Sequence, residues 1–345
     1  MSTSLCCAAS DGKHAVRCYS DGEVLVFPRI HSKQVLSLKH SDIPIACAFA
    51  ATLTSTFLFV AFRRGRIFVF SFDNSENQDI SIPTTVLDAA DLTSMSVIFS
   101  PQHDCFLCFL SCYSGHIIQL KCSITHNFSH EFSNLTFNSR LPDLGVITAL
   151  SSFIHESEIY LTLSNSFKNI ILFNLNNLKH SEVNLEKLPL TLQVITSNQP
   201  LKKPLLLVSC QSSLECYFIE PSTLLMSKHT TLSTTDSYLK MQALSEVSSI
   251  VDLLPVLGAS ISGKLHLISI PTNRFFSSTT SKDLPASHAV CLSNEQLPSF
   301  PVGICVDQNL RVYVYDSQNY SIVYDNLKSD IKSLGTVSID QVLSE

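Results

Sequence analysis

The chain has 345 residues, 45% of them apolar and 15% charged, with a formal net charge of −6 at pH 7. That length and apolar share provide for a sizeable core, and the mild acidity argues against a protein whose main task is coating nucleic acid. No apolar run approaches the roughly 18–20 residues of a membrane-spanning helix, and the opening MSTSLCCAAS lacks the basic and apolar regions of a secretory signal.

Helical signals are weak, because no apolar pattern of period 3.6 is sustained between caps. Strand signals are strong: short Val-, Ile-, Phe-, Tyr- and Leu-rich runs end at Gly, Pro, Asn, Asp or Ser. In chain order, Leu5–Ala9 precedes a hairpin, Ala15–Tyr19 and Glu23–Phe27 around Ser20-Asp21-Gly22. Ile45–Ala50 precedes Phe57–Phe62 and Arg66–Phe70 around Arg63-Arg64-Gly65. Met95–Ser100 precedes Cys105–Tyr113 and His116–Cys122 around Ser114-Gly115. Ile147–Phe153 precedes Glu158–Leu163 and Ile170–Leu175, and Thr191–Thr196 precedes Leu205–Cys210 and Leu214–Ile219. Ile250–Leu254 precedes Val256–Ile261 and Lys264–Ile270 around Ser262-Gly263. Ala289–Leu292 precedes Val302–Val306 and Leu310–Tyr315 around Asp307–Asn309.

The seven turn centres, near 22, 65, 115, 168, 212, 263 and 309, are about 43–53 residues apart. That is close to the period of a four-stranded propeller blade. Each hairpin cannot bury its apolar faces alone, so neighbouring units must stack. The reading is all-β: a single seven-bladed β-propeller over residues 1–345, with four-stranded antiparallel blades starting near 5, 45, 95, 147, 191, 250 and 289. The segment before each hairpin is expected to be an innermost strand. Val35–Leu38 and Ser321–Tyr324 are expected to be outer strands. Thr125–Pro142, Ser222–Ser245 and Arg274–Ser287 read as long loops or ragged outer strands, and the tail 326–345 as a closing strand or a free end. Asn-x-Ser/Thr sequons at Asn127, Asn134 and Asn319 are what chance supplies in so Ser/Thr-rich a chain.

Twelve cysteines are present, and most sit inside apolar runs, among them Cys47, Cys108, Cys210, Cys216, Cys291 and Cys305. There cysteine acts as a small hydrophobe, so free thiols in a reducing compartment are expected. Cys105, Cys108, Cys112 and Cys122 include a Cys-x2-Cys spacing found in zinc sites. One strand over Cys105–Tyr113 would point Cys105 and Cys108 to opposite faces, so core packing is the reading and no metal or cofactor is implied. His103, His116, His155 and His266 are scattered, and the chain has no Gly-x-Ser-x-Gly, His-Glu-x-x-His or P-loop. With nine glycines, phosphate-cradling loops are not expected either. These absences argue against an enzyme, for which acids and histidines would have to converge on the central channel.

The pattern resembles the WD-repeat propellers, without their Trp-Asp dipeptide. Phe27-Pro28, Phe70-Ser71, Leu120-Lys121, Phe173-Asn174, Phe218-Ile219, Ile268-Ser269 and Tyr315-Asp316 stand where that dipeptide would close the third strand. Within that superfamily, Leu188–Pro221, LPLTLQVITSNQPLKKPLLLVSCQSSLECYFIEP, resembles the fifth blade of the family of the Bub mitotic-checkpoint and Rae messenger-RNA-export propellers. Val208-Ser209-Cys210-Gln211-Ser212-Ser213 stands for the family's Ser-Ser-Ile-Glu-Gly-Arg, and Phe218-Ile219-Glu220-Pro221 for its Tyr-Leu-Asp-Pro. Lys228-His229 falls near the family's Lys-Cys-His-Arg. The family arginine that helps bind the acidic motif of checkpoint kinases aligns with Ser213 and is absent.

The resemblance implies a non-enzymatic scaffold in spindle-assembly checkpoint signalling. It would work in nucleus and cytoplasm and at kinetochores, binding linear motifs of a checkpoint kinase or kinetochore protein. An export or nuclear-pore propeller, or another complex subunit, is the alternative; neither a membrane nor direct nucleic-acid binding is expected. Some of the densest basic positions, Arg63, Arg64, Arg66, Lys202, Lys203, Lys228 and His229, are expected to form a patch on one face for an acidic or phosphorylated peptide. Ser213 is counted with the partner-binding positions because it stands where the family arginine would.

Overall fold

The computed structural model describes residues 3–29, 35–73, 77–81, 91–123, 130–134, 144–196, 203–234, 236–244, 253–271 and 288–331. The first blade is β1 (Leu5–Ser10), β2 (Ala15–Tyr19), β3 (Glu23–Phe27) and β4 (Leu36–Lys39). The second is β5 (Pro44–Ala51), β6 (Thr56–Phe62), β7 (Arg66–Ser71) and β8 (Asn77–Ser81). The third is β9 (Leu92–Ser100), β10 (Cys105–Cys112), β11 (Ile117–Ser123) and β12 (His130–Asn134). The fourth is β13 (Ile147–His155), β14 (Glu158–Asn165), β15 (Asn169–Asn174) and β16 (Lys179–Asn184). The fifth is β17 (Pro189–Ile195), β18 (Leu205–Cys210), β19 (Ser213–Glu220) and β20 (Leu225–Ser233). The sixth is β21 (Tyr238–Ala243), β22 (Leu253–Ser260), β23 (Leu265–Pro271) and β24 (His288–Cys291). The seventh is three-stranded among the described residues: β25 (Pro301–Val306), β26 (Val312–Asp316) and β27 (Ser321–Tyr324).

Within each sheet, consecutive strands pair antiparallel, and the seven innermost strands adjoin one another in a closed circle from β1 round to β25 and back. The fold is a seven-bladed β-propeller. One helical turn, at 327–331, follows the last strand and buries Leu327 between blades six and seven. No helix among the described residues is long and apolar enough to cross a membrane.

Blades six and seven correct the expected inner strands. The sixth inner strand is β21, which carries Lys240 and Gln242 and so lacks a continuous apolar run, whereas 253–254 begin the second strand. Residues 288–291 form the outer strand of blade six. The hairpin around 309 joins the first and second strands of blade seven, and the turn equivalent to the other six lies at 317–320. Ser321–Tyr324 is accordingly a third strand, and Tyr315-Asp316 closes a second strand. The stretch 222–245 holds β20 and β21, and β12 lies within 125–142. Residues 274–287 and 332–345 fall outside the described residues.

The repeat is sharpest in one backbone position. Gly22, Gly65, Gly115, Lys168, Ser212, Gly263 and Asn319 occupy the same place in the turn between second and third strands, and all have φ between 57° and 85°. Glycine adopts that left-handed region freely, and isolated polar residues tolerate it.

Seven buried apolar clusters, one per gap between blades, form the core. Phe57, Phe59 and Ile67 of blade two meet Phe106 and Ile118 of blade three, for example. Cys105 packs between blades three and four and Cys108 between blades two and three, as strand alternation requires. The free edges of the inner strands are bridged by side chains. The Ser96 hydroxyl accepts from Ser152 N at 2.9 Å, Ser151 Oγ from Val194 N at 3.2 Å, and Gln193 Oε1 from Ala243 N at 3.2 Å. Each satisfies a backbone N–H that no strand partner reaches.

Candidate interaction surface

The turn between second and third strands shares one face of the ring with the connections between blades. Backbone hydrogen bonds tie the two together: His40 N donates to Gly22 O, Leu92 N to Arg63 O, Tyr113 N to Asp91 O, Ser166 N to Val146 O, and Leu185 N to Lys168 O, all at 2.7–2.9 Å. This front face is therefore a rigid platform. The turns between first and second and between third and fourth strands form the back face.

Arg63 and Arg64 are exposed at the front of blade two, with Arg66 half-buried beside them. Arg63 Nε lies 3.9 Å from Asp91 Oδ2, Arg64 N donates to Asp42 Oδ2 at 2.8 Å, and Arg66 Nη1 to Ser41 Oγ at 3.4 Å. Lys203 is on the back of blade five in an ion pair with Glu220, and Lys202 lies outside the described residues. Lys228 and His229 are on the outer strand β20. Lys228 Nζ sits 2.9 Å from the buried Glu215 carboxylate, and His229 packs against Phe218 at 4.4 Å between ring centroids. Ser213 is buried at the start of β19, and its hydroxyl has no hydrogen-bond partner.

Arg63, Arg64 and Arg66 do not share a patch with Lys203 or Lys228. Sequence neighbourhood cannot reveal that a first-to-second loop and a second-to-third turn leave a blade at opposite ends. The structure separates the arginines from Lys203 by both face and blade and from Lys228 by blade, and Lys203 and Lys228 each hold a carboxylate.

Sequence reasoning missed what surrounds the arginines. Tyr113 (65% exposed) and Phe167 (55%) stand on the front turns of blades three and four. Gly115 carries Tyr113's turn against Gly145, and Phe167 lies over Gly145: a Cβ there would come 2.7 Å from its ring. Arg63, Arg64, Tyr113 and Phe167 therefore form one arc across blades two to four. Ile261, Phe300 and Tyr320, all more than half exposed, stand on the same face over blades six and seven. The sequence signal is an aromatic or aliphatic residue one or two positions after the second strand, Tyr113, Phe167 and Ile261, where the strand pattern calls for a polar turn.

The back face holds a polar hollow of about 680 Å³ between blades four and five, lined by His155, Glu156, Glu158, Tyr160, Asn174 and Glu220 among others. Glu158 Oε2 accepts from Tyr160 OH and Asn174 Nδ2, both at 2.7 Å. Burial, and then the Glu158 bond, push the Tyr160 hydroxyl above its ordinary range. These groups occupy one another and sit away from the central channel.

No protein-family model matches the chain, and no curated protein does. Solved structures do. The β-propeller domain of Cps50 (Swd1) from Myceliophteria thermophila superposes with a TM-score of 0.64 at 10% identity, over 93% of this chain and 96% of that one. A chain of the mitotic checkpoint complex gives 0.63 at 9% identity, over 93% and 86%. BBS1N, crystallised in complex with ARL6DN, gives 0.60 at 14% identity, over 91% and 87%.

What they share with this chain is the fold. It is the fold that the resemblance to WD-repeat propellers implies.

Proposed function

We propose that the chain is a non-enzymatic interaction scaffold whose front face, over blades two to four, takes an acidic or phosphorylated linear segment of a checkpoint kinase or kinetochore protein. The observation that carries this reading is the arc of Arg63, Arg64, Tyr113 and Phe167 on turns stapled by backbone hydrogen bonds. The few residues that carry most of the binding energy of protein interfaces are enriched in tyrosine and arginine. A guanidinium fork grips carboxylate or phosphate, and the rings cover apolar neighbours in the segment. Presentation on a rigid ring lowers the entropy lost on binding. The propellers of similar fold include one crystallised with ARL6DN and one within the mitotic checkpoint complex, which favours a partner-binding role.

The test is affinity purification from mitotic extract with wild type, Arg63→Glu/Arg64→Glu and Tyr113→Ser/Phe167→Ser. Capture of a checkpoint or kinetochore protein that drops at least roughly tenfold, about 1.4 kcal/mol, in both variants supports the reading. Capture unchanged in both variants overturns the face. Loss of proteins unrelated to the checkpoint keeps the face and replaces the partner.

A further inference from the structure

Three cysteines from two blades meet in the wall between them. Cys7 on β1 is paired with Cys18 on β2, just after a register shift at Leu5/Cys7, and Cys47 comes from β5, the inner strand of the next blade. Their Sγ atoms all lie within 4.8 Å of one another. Cys7 and Cys18 are buried and Cys47 is partly exposed. Val16, Val24, Leu58, Val60, Phe62 and Phe68 form an apolar shell around them.

Metal–sulfur bonds of about 2.3 Å place the three sulfurs of a trigonal site roughly 4 Å apart, so small side-chain shifts would close this trio around one ion. The other buried cysteines do not converge in this way among the described residues. The thiols already interact, Cys18 and Cys47 each hydrogen-bonding with Cys7. Cys47 supplies the partly open side through which an ion would enter.

We propose that Cys7, Cys18 and Cys47 form a three-coordinate site for one Cu(I) ion. Soft thiolates select soft ions, and Cu(I) is satisfied by three sulfurs. Structural Zn(II) sites take four ligands, and among the described residues no fourth His, Cys, Asp or Glu joins the group. Binding displaces thiol protons to solvent and leaves thiolate–copper bonds, with no change of oxidation state.

The test is anaerobic titration of the reduced full chain with Cu(I) against a chromophoric Cu(I) chelator. One equivalent should leave the chelator, with sulfur-to-copper charge-transfer absorption in the ultraviolet. Cys47→Ser should weaken that binding at least about tenfold. Cys6→Ser/Cys291→Ser, which removes two more accessible thiols, and Cys305→Ser, at a different blade junction, should retain it. Should Cys47→Ser fail to fold, alkylation of the wild type serves instead: Cu(I) should protect Cys47 and leave Cys291 reactive. Absence of competitive binding, binding indifferent to Cys47→Ser, equally tight thiol-dependent Zn(II) binding, or no protection of Cys47 would each overturn the proposal.

Discussion

The hydroxyl of Ser10 accepts from Val306 N at 3.0 Å and donates to Val306 O at 3.3 Å, joining residues 296 positions apart in sequence. This pair lies where blade seven meets blade one. Leu5 N donates to Ser317 O at 3.0 Å nearby, and Arg17 lies between Phe27 and Tyr315 while its Nη2 donates to the Tyr315 hydroxyl at 2.9 Å. Ser10→Ala would leave Val306 N–H unpaired and should cost about 1–3 kcal/mol in urea unfolding. Ser10→Thr, which keeps the hydroxyl, should cost clearly less; equal losses would show that the bond contributes nothing to closure.

Gly303 on β25 faces the same junction. A Cβ there would lie 2.5 Å from the Ala8 carbonyl oxygen, and that oxygen belongs to a paired strand. Gly303→Ala should therefore cost at least about 2 kcal/mol by overpacking. Gly12→Ala is the contrast: its φ is +91°, but its nearest neighbour is 4.0 Å away, so backbone strain of about 1–2 kcal/mol is all that is expected. Thermal unfolding of the two variants should rank them in that order.

Two serines of blade five should behave oppositely. Ser209 Oγ donates to Tyr238 O at 2.8 Å and accepts from Tyr238 N at 3.1 Å, so Ser209→Ala should cost about 1–3 kcal/mol. Ser213 buries a hydroxyl without a partner, and Ser213→Ala should be neutral or stabilising by up to about 1 kcal/mol. A large loss at Ser213 in denaturant titration would mean that its hydroxyl is satisfied in solution.

Alkali should loosen the ring in a defined window. Burial holds Cys122, Cys216 and Cys305 up at about 12, against 9.0 for a free thiol. Above pH 9 the unfolded chain gives up thiol protons that the folded chain retains, so it binds fewer protons and stability falls as pH rises towards 12. Each such group removes about 1.4 kcal/mol per pH unit in that range. The urea midpoint should be flat up to about pH 8.5 and fall steeply beyond it; a flat profile to pH 11 would show that these thiols titrate normally.

Legibility in the sequence was uneven for identifiable reasons. Gly22, Gly65, Gly115 and Gly263 announced their turns because each needs a left-handed backbone between two apolar strands. In blades six and seven the same local cues misled. Lys240 and Gln242 break the apolar pattern of β21, and the hairpin around 309 carries the same signals as a second-to-third turn although it joins the first two strands. Local signals mark a hairpin but not its place in a blade; that is settled by which strand packs against the neighbouring blades. The arginine–aromatic arc stayed hidden for a related reason. Tyr113 continues the pattern of a buried strand, and its exposure follows from the direction in which the chain turns at Ser114-Gly115.

Every sheet is assembled from strands consecutive in sequence, while the cluster between blades seven and one, around Leu5, Ala8, Tyr19 and Tyr315, is the smallest of the seven among the described residues. Six blade junctions can therefore form as the chain emerges, each from neighbours a few dozen residues apart, with little loop-closure cost. The seventh must wait for the longest search, when the last inner strand finds the first across the width of the ring. The circle thus has a clasp, fastened by Ser10, Arg17 and Tyr315, and reversible opening of the native protein should begin there and expose the mutually facing sides of blades one and seven before any other.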